Sequence, residues 1–254
     1  AACWIAISRA DRVILAGDHC QLPPTIKCIE AARGGLGRTL LEKVVLHKPE
    51  TVSLLKIQYR MHEDIMRFPS RWFYHDELEA APEVKYRGIL DFDTPASWID
   101  TSELDLQEKA VAEGTGRLNT GEAELLVREL KNYMERIGIR RILEEHIDFG
   151  GISPYRAQVH YLRHLLKKEP FFRPCRRLIT VHTVDGFQGQ ERDVIMISLV
   201  RANEKGQIGF LRDLRRMNVA ITRARMKLLI LGEAVTLTRH PFYRELYEYI
   251  GGLR

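Results

Sequence analysis

Cysteine is scarce in this chain of 254 residues: only Cys3, Cys20, Cys28 and Cys175 occur. None forms a CxxC pair, and no histidine stands at metal-ligand spacing around them. Neither a disulfide scaffold nor a metal site is therefore expected, and free thiols in a reducing cytoplasm are. Long apolar runs are also missing. No stretch approaches the roughly 18 residues that a membrane-spanning helix needs, so no membrane partner is expected. No basic-then-apolar leader opens the sequence, so nothing suggests secretion. Internal repeats and low-complexity tracts are absent as well. The first residue is Ala1 rather than methionine, which suggests a trimmed piece of a longer protein.

What is present fits a folded domain. Hydrophobic residues make up 45% of the chain and charged residues 29%, enough apolar surface for one large domain or one domain plus part of another. The net charge of +5, from 39 basic and 34 acidic residues, points only weakly to a polyanionic partner.

Pattern along the chain supplies the elements. Residues 2–9 read as the end of a helix, and Arg12 to Ala16 as a short buried strand ending at Gly17-Asp18. Residues 21–37, rich in Pro and Gly, read as a loop, 38–46 as a helix and Val52 to Ile57 as a strand, with a domain boundary near residue 50. Residues 62–118 are mixed, with strand-like pieces at Gly88 to Phe92 and Ser97 to Asp100 and a charged, loop-like stretch from Glu103 to Arg117. Asn119 and Glu122 have the spacing of a capping box. The helix that follows carries apolar residues at helical spacing until Gly138 ends it. Apolar or β-branched strands at Phe149 to Ser153, Leu178 to Val184, Val194 to Val200 and Leu228 to Leu231 alternate with helices at Ala157 to Leu166 and Leu214 to Arg225. Such alternation predicts an α/β fold with a mostly parallel sheet flanked by helices on both faces. Ligands of such sheets bind at the carboxyl ends of the strands.

Five polar motifs fall at those ends. GDHCQLPPT, residues 17–25, holds Gln21 on a rigid turn, suited to sensing a terminal phosphate, although a Pro-rich loop without chemistry has the same look. QYRMH, residues 58–62, offers Tyr59 for stacking on a base and Arg60 for clamping phosphate oxygens, or merely an arginine in a salt bridge. SPYRAQ, residues 153–158, offers a hydroxyl, exposed amides and an aromatic ring for a single strand and a stacked base, or simple helix capping by Ser153 with Pro154 at the first helical position. In TVHTVDGFQGQE, residues 180–191, two glycines let a backbone approach a ligand closely and Glu191 is suited to accept from ribose hydroxyls, or the segment is merely a turn-rich loop. RRMNVAITRAR, residues 215–225, clusters arginines beside an apolar segment, suited to anions, or forms a solvated basic face.

In this order, across residues 10–235, the five motifs resemble those of superfamily-one helicases, in the branch that includes the nonsense-mediated-decay RNA helicase and the immunoglobulin-switch-binding helicase. The resemblance implies a RecA-like, P-loop NTPase-type fold, use of ATP with Mg2+, and 5′-to-3′ movement on single-stranded DNA or RNA. It implies that Gln21 senses the γ-phosphate, Tyr59 stacks on adenine, Glu191 binds the ribose with Gly189 giving it room, and Arg60 and Arg223 are arginine fingers. It implies strand contacts for Pro154, Tyr155, His182 and Thr183. The family's phosphate loop, GxxxxGK followed by Ser or Thr, does not occur in this sequence, nor does its magnesium-binding Asp-Glu pair upstream of GDHCQLPPT. Asp76-Glu77 imitates that pair but follows QYRMH. Residues 1–50 are therefore expected to be the tail of a first RecA-like motor domain, residues 51–254 the second motor domain, and the chain alone inactive as an ATPase.

Overall fold

The computed structural model describes residues 4–24, 26, 28–111 and 116–253. Cys3, Thr25 and part of the Glu103 to Arg117 stretch lie outside the described residues. The chain divides into two compact units, Ala1–Leu54 and Leu55–Arg254.

In the first unit, helix α1 (Leu40–His47) starts at a reciprocal capping box: the Glu42 amide donates to the Thr39 hydroxyl, and the Thr39 amide to the Glu42 carboxylate. Residues 21–37 are not all loop, for short helical turns run through Ile29–Ala31 and Ala32–Leu36. The strand expected at Arg12 to Ala16 does not form; those residues are irregular, and Ile14 is 96% exposed. No strand occurs among the described residues of this unit, and an isolated strand leaves its backbone groups without a ladder.

The second unit holds the sheet. Its elements in chain order are helix α2 (Glu63–Phe73), strand β1 (Ala96–Asp100), helix α3 (Thr120–Ile137), strand β2 (Phe149–Ser153), helix α4 (Arg156–Lys168), strand β3 (Ile179–Thr183), strand β4 (Arg192–Ser198), helix α5 (Leu214–Ile221), strand β5 (Ala224–Gly232) and helix α6 (Pro241–Gly251). The strands lie in the order β1-β5-β4-β2-β3, every neighbouring pair parallel. Every residue of β2 is buried, as are all of β4 from Asp193 onward, so helices cover both faces of the centre. Gly150 is a packing requirement: a Cβ there would sit 2.5 Å from Ile195 Cδ1 and 2.7 Å from Phe187 Cζ.

Several expectations need correction. The strand expected from Val52 shrinks to Ile57–Gln58, because only those residues find a partner, pairing in parallel with Glu79–Ala80. Gly88 to Phe92 form no strand, and Phe92 is fully exposed with a left-handed φ of 58°. The charged stretch after Glu103 contains a short antiparallel pair, Lys109–Ala110 with Arg117–Leu118. Helix α5 stops at Ile221 rather than Arg225, because β5 begins at Ala224 to pair with Arg192 of β4.

The capping box expected at Asn119 is half made. Asn119 Oδ1 accepts from the Glu122 amide at 3.0 Å, but the Glu122 carboxylate turns inward. Its Oε1 accepts from Ser198 Oγ at 2.6 Å and from the Val200 amide at 2.9 Å. Burial pushes this carboxyl up to about 7. Gln158 completes the knot, accepting from the Asn119 amide and donating to the Asn119 carbonyl and Ser198 Oγ. Val200, a β-branched residue, is held at a φ of 70°.

Candidate functional site

The QYRMH turn is built by its glutamine. Gln58 Oε1 accepts from the amides of Arg60 (2.9 Å) and Met61 (2.7 Å), and Gln58 Nε2 donates to the Met61 carbonyl (2.8 Å). The His62 amide donates to the Arg225 carbonyl at 2.8 Å, tying the turn to the start of β5. The lock leaves Tyr59 68% exposed, its ring open to a flat partner. It sends Arg60 inward, where Nε donates to Glu191 at 2.5 Å and Nη1 to the Thr222 carbonyl at 3.0 Å. Arg60 and Glu191 both remain about a third to two-fifths exposed.

Arg223 lies beside them in the turn between α5 and β5, only 3% exposed. It donates to the Val219 carbonyl (3.0 Å), the Gln190 carbonyl (3.1 Å) and Thr222 Oγ1 (3.0 Å). Motifs distant in sequence thus meet: Arg60, Gln190-Glu191 and Thr222-Arg223 form one cluster. Gly189 sits at its edge with a φ of 81° and no heavy atom within 4 Å of the place a Cβ would take, so the backbone there is open to close approach. Arg225 adds charge, 3.8 Å from Glu191 and 3.0 Å from Asp148. Asp148 and Asp193 exchange hydrogen bonds with each other's amides, and burial raises the Asp193 carboxyl.

The strand-contact residues gather at the carboxyl ends of β2 and β3, where Ser153 is in register with Thr183 and Ile152 with His182. Thr183 Oγ1 accepts from the Gly186 amide at 3.3 Å, capping a short helix, Val184–Phe187. His182 Nδ1 lies 3.0 Å from Arg163 Nη2, and burial together with Arg163 and Arg192 holds this imidazole below its usual range.

Two readings of SPYRAQ are corrected. Tyr155, not Ser153, stands at the N-cap of α4 and makes no side-chain capping bond there, and the helix begins at Arg156 rather than Pro154. The Tyr155 ring is 2% exposed, packed 5.5 Å from Phe210, and its hydroxyl accepts from Arg201 at 3.2 Å. A ring so enclosed is not open to stack on a base in this conformation. Gln21, in the first unit, is folded onto its own turn, its Nε2 donating to Asp18 at 2.7 Å.

Gln58 and the Glu122 knot were missed by sequence reading. A glutamine two residues before an arginine has no distinguishing look, and the spacing of Glu122 from Asn119 is that of a capping box. Cys20, Cys28 and Cys175 are free thiols. Asp18, His19 and Cys20 do bring ligand-type atoms within 4.8 Å of one another. Both Asp18 oxygens also accept hydrogen bonds, from the Cys20 amide and from Gln21. No described helix is long and apolar enough to cross a membrane.

Comparison with known proteins places the chain. Residues 36–235 match the family of AAA domains, and residues 1–28 match a second family of the same description. The chain is 36% identical to DNA-binding protein SMUBP-2 of Rattus norvegicus, over 98% of this chain and 25% of that protein. It is 36% identical to an uncharacterised ATP-dependent helicase of Methanocaldococcus jannaschii, over 97% of this chain and 36% of that one. It is 35% identical to the regulator of nonsense transcripts 1 homolog of Drosophila melanogaster, over 94% of this chain and 20% of that one. The chain therefore spans a fifth to about a third of the length of these relatives. It belongs to the superfamily-one helicases of the type these relatives represent, and its α/β fold is RecA-like.

Proposed function

We propose that this helicase-family chain is the C-terminal part of an ATP-driven motor that moves 5′-to-3′ along single-stranded DNA or RNA. In this reading residues 1–50 close a first motor domain and residues 51–254 form the second. The gathering of Arg60, Glu191 and Arg223 from three separate motifs carries it. The residues fit a nucleotide on two counts: Tyr59 presents an exposed ring on a locked turn, and Gly189 leaves open space beside Glu191.

When bound, ATP supplies the phosphoanhydride whose hydrolysis drives movement. Tyr59 stacks on the adenine, and Glu191 releases Arg60 to accept from the ribose hydroxyls. Arg60 and Arg223 turn their donors to phosphate oxygens, Arg223 exchanging the Val219 and Gln190 carbonyls for them. Gln21 reads the γ-phosphate. Pro154 and the Tyr155 backbone, with His182 and Thr183, hold the strand. Magnesium and the β- and γ-phosphates need a phosphate loop and an acidic pair, and the sequence has neither. The chain alone therefore does not hydrolyse ATP, and its partner is a first RecA-like motor domain. The free thiols accord with a cytoplasmic setting.

The test joins this chain to its first motor domain and measures nucleic-acid-stimulated ATP hydrolysis. Arg223→Ala and Arg60→Ala should each lower turnover by about 10³ to 10⁵ while leaving the fold intact, the range arginine fingers supply in related hydrolases. A folded two-domain protein that binds single strands yet hydrolyses nothing would leave a nucleic-acid-binding scaffold instead.

A further inference from the structure

One exposed stretch of the second unit is strongly basic. Residues 156–177 carry seven Lys and Arg against one acid, Glu169, a net +6 where the whole chain has +5. Glu169 is itself taken up by Lys131 at 3.6 Å. All seven cations are exposed, and among the described residues none lies within ion-pair distance of a carboxylate. Some other exposed cations of this unit find acids, as Lys56 does Glu77, Arg67 Glu63 and Arg140 Glu144, while those without one, such as Lys109, Lys205 and Arg244, are scattered along the sequence.

Their arrangement is linear. Arg156, His160, Arg163 and Lys167 recur at helical spacing and form one stripe along α4, roughly 16 Å long at 1.5 Å per residue. The stripe begins where α4 leaves the carboxyl end of β2 and runs back along the sheet beside edge strand β3. Arg163 donates to the Val181 carbonyl (2.9 Å from Nε) and lies against His182. Arg176 joins at the far end, donating to the Lys167 carbonyl at 3.1 Å. Between α4 and β3 lies a cavity of about 370 Å³, with Leu166, Phe172 and Ile179 among its apolar lining and Arg163, Lys167 and Arg176 among its cations.

We propose that this stripe and cavity form a second binding surface for single-stranded nucleic acid, which follows the sugar-phosphate backbone down the flank of the domain from the strand-end contacts at His182 and Thr183. It rests on the strand-binding reading above. A row of unpaired cations beside an apolar hollow is the combination that holds a phosphodiester chain without reading its sequence. Protection of an edge strand from pairing requires only a charge or two, whereas this surface has seven and they extend over the helix and the turns after it.

The experiment titrates the whole chain with fluorescent oligothymidylates of about 8 and about 24 nucleotides, lengths that bracket a single site. The variant is Lys167→Ala/Arg176→Ala/Arg177→Ala, with a charge-keeping control, Lys167→Arg/Arg176→Lys/Arg177→Lys. Wild type should gain affinity with length well beyond the gain from extra registers, which the neutral variant keeps. The neutral variant should lose about tenfold on the longer strand, with a salt dependence shallower by about 2 in log-log slope, at roughly 0.7 per cation removed. Its affinity for the shorter strand should be unchanged, and the control should behave as wild type. Equal affinities of wild type and neutral variant for the longer strand would overturn the second surface alone. Failure to bind either length at low salt would overturn the strand-binding reading and this surface with it. Binding of polyglutamate as tight as that of the long strand would make the stripe a docking face for an acidic protein and overturn the proposal.

Discussion

Glu122→Gln isolates the energetics of the buried knot. The carboxylate accepts from Ser198 Oγ and the Val200 amide through one oxygen, while the other, Oε2, is buried with no hydrogen-bond partner. Burial raises the folded pKa to about 7 from an ordinary value of 4.5. Between those values the folded chain keeps a proton that the unfolded chain releases, so this group makes stability fall as pH rises through the window. Each unit is worth about 1.4 kcal/mol, so the full penalty above neutral pH is about 3 kcal/mol. Glutamine keeps the shape and cannot ionise. The amide it places at Oε2 adds an offset that does not depend on pH. The unfolding free energy of the variant, measured by urea titration with circular dichroism, should therefore rise relative to wild type by about 2 to 3 kcal/mol between about pH 5 and about pH 8. Parallel pH curves for the two proteins would show that Glu122 is ionised in the fold or reaches water, and would refute the reasoning.

Two further perturbations test the packing. Gly150→Ala forces a methyl group onto Ile195 and Phe187 and should lower stability by about 1 to 3 kcal/mol; an unchanged thermal midpoint would show that β2 has room to shift. Asp93→Ala removes the carboxylate 3.2 Å from the buried Lys227 ammonium, a pair whose breakage costs about 3 to 5 kcal/mol. Burial already holds the Lys227 amine below its usual range, so the deficit should shrink as pH rises and the stranded ammonium sheds its proton. A deficit independent of pH in urea titrations would contradict this.

The sheet was legible because its inner strands are buried on both faces and so read as unbroken apolar runs. The same signal failed at Arg12 to Ala16 and at Gly88 to Phe92, for the same reason in each case. An apolar run becomes a strand only where a neighbour completes its ladder, and a neighbour is a property of the fold, not of the run. Helix α2 was hidden differently. Pro69 lies within it, which argues against a helix interior; tertiary packing overrides that, with Phe68 and Trp72 set 5.3 and 5.0 Å from Phe242 of α6.

The candidate site divides along similar lines. The family resemblance singles out Tyr59, Arg60, Glu191 and Arg223, and the fold brings the last three into one cluster. What joins them was not legible. Gln58 shapes the turn with a side chain that looks like any other glutamine, and the peptide Gln190-Glu191-Arg192 bonds to several separate places. Its Gln190 carbonyl accepts from Arg223, its Glu191 carboxylate from Arg60, and Arg192 donates to Thr180 of β3 at 3.3 Å. One short segment thus touches both the arginines expected to meet phosphate and the strand whose far end carries His182 and Thr183. A rearrangement that freed Arg60 and Arg223 for phosphate would break these two side-chain bonds to the segment and leave its bond to β3. Sequence spacing shows which side chains have chemistry to offer; only the folded chain shows that they hang from a common peptide.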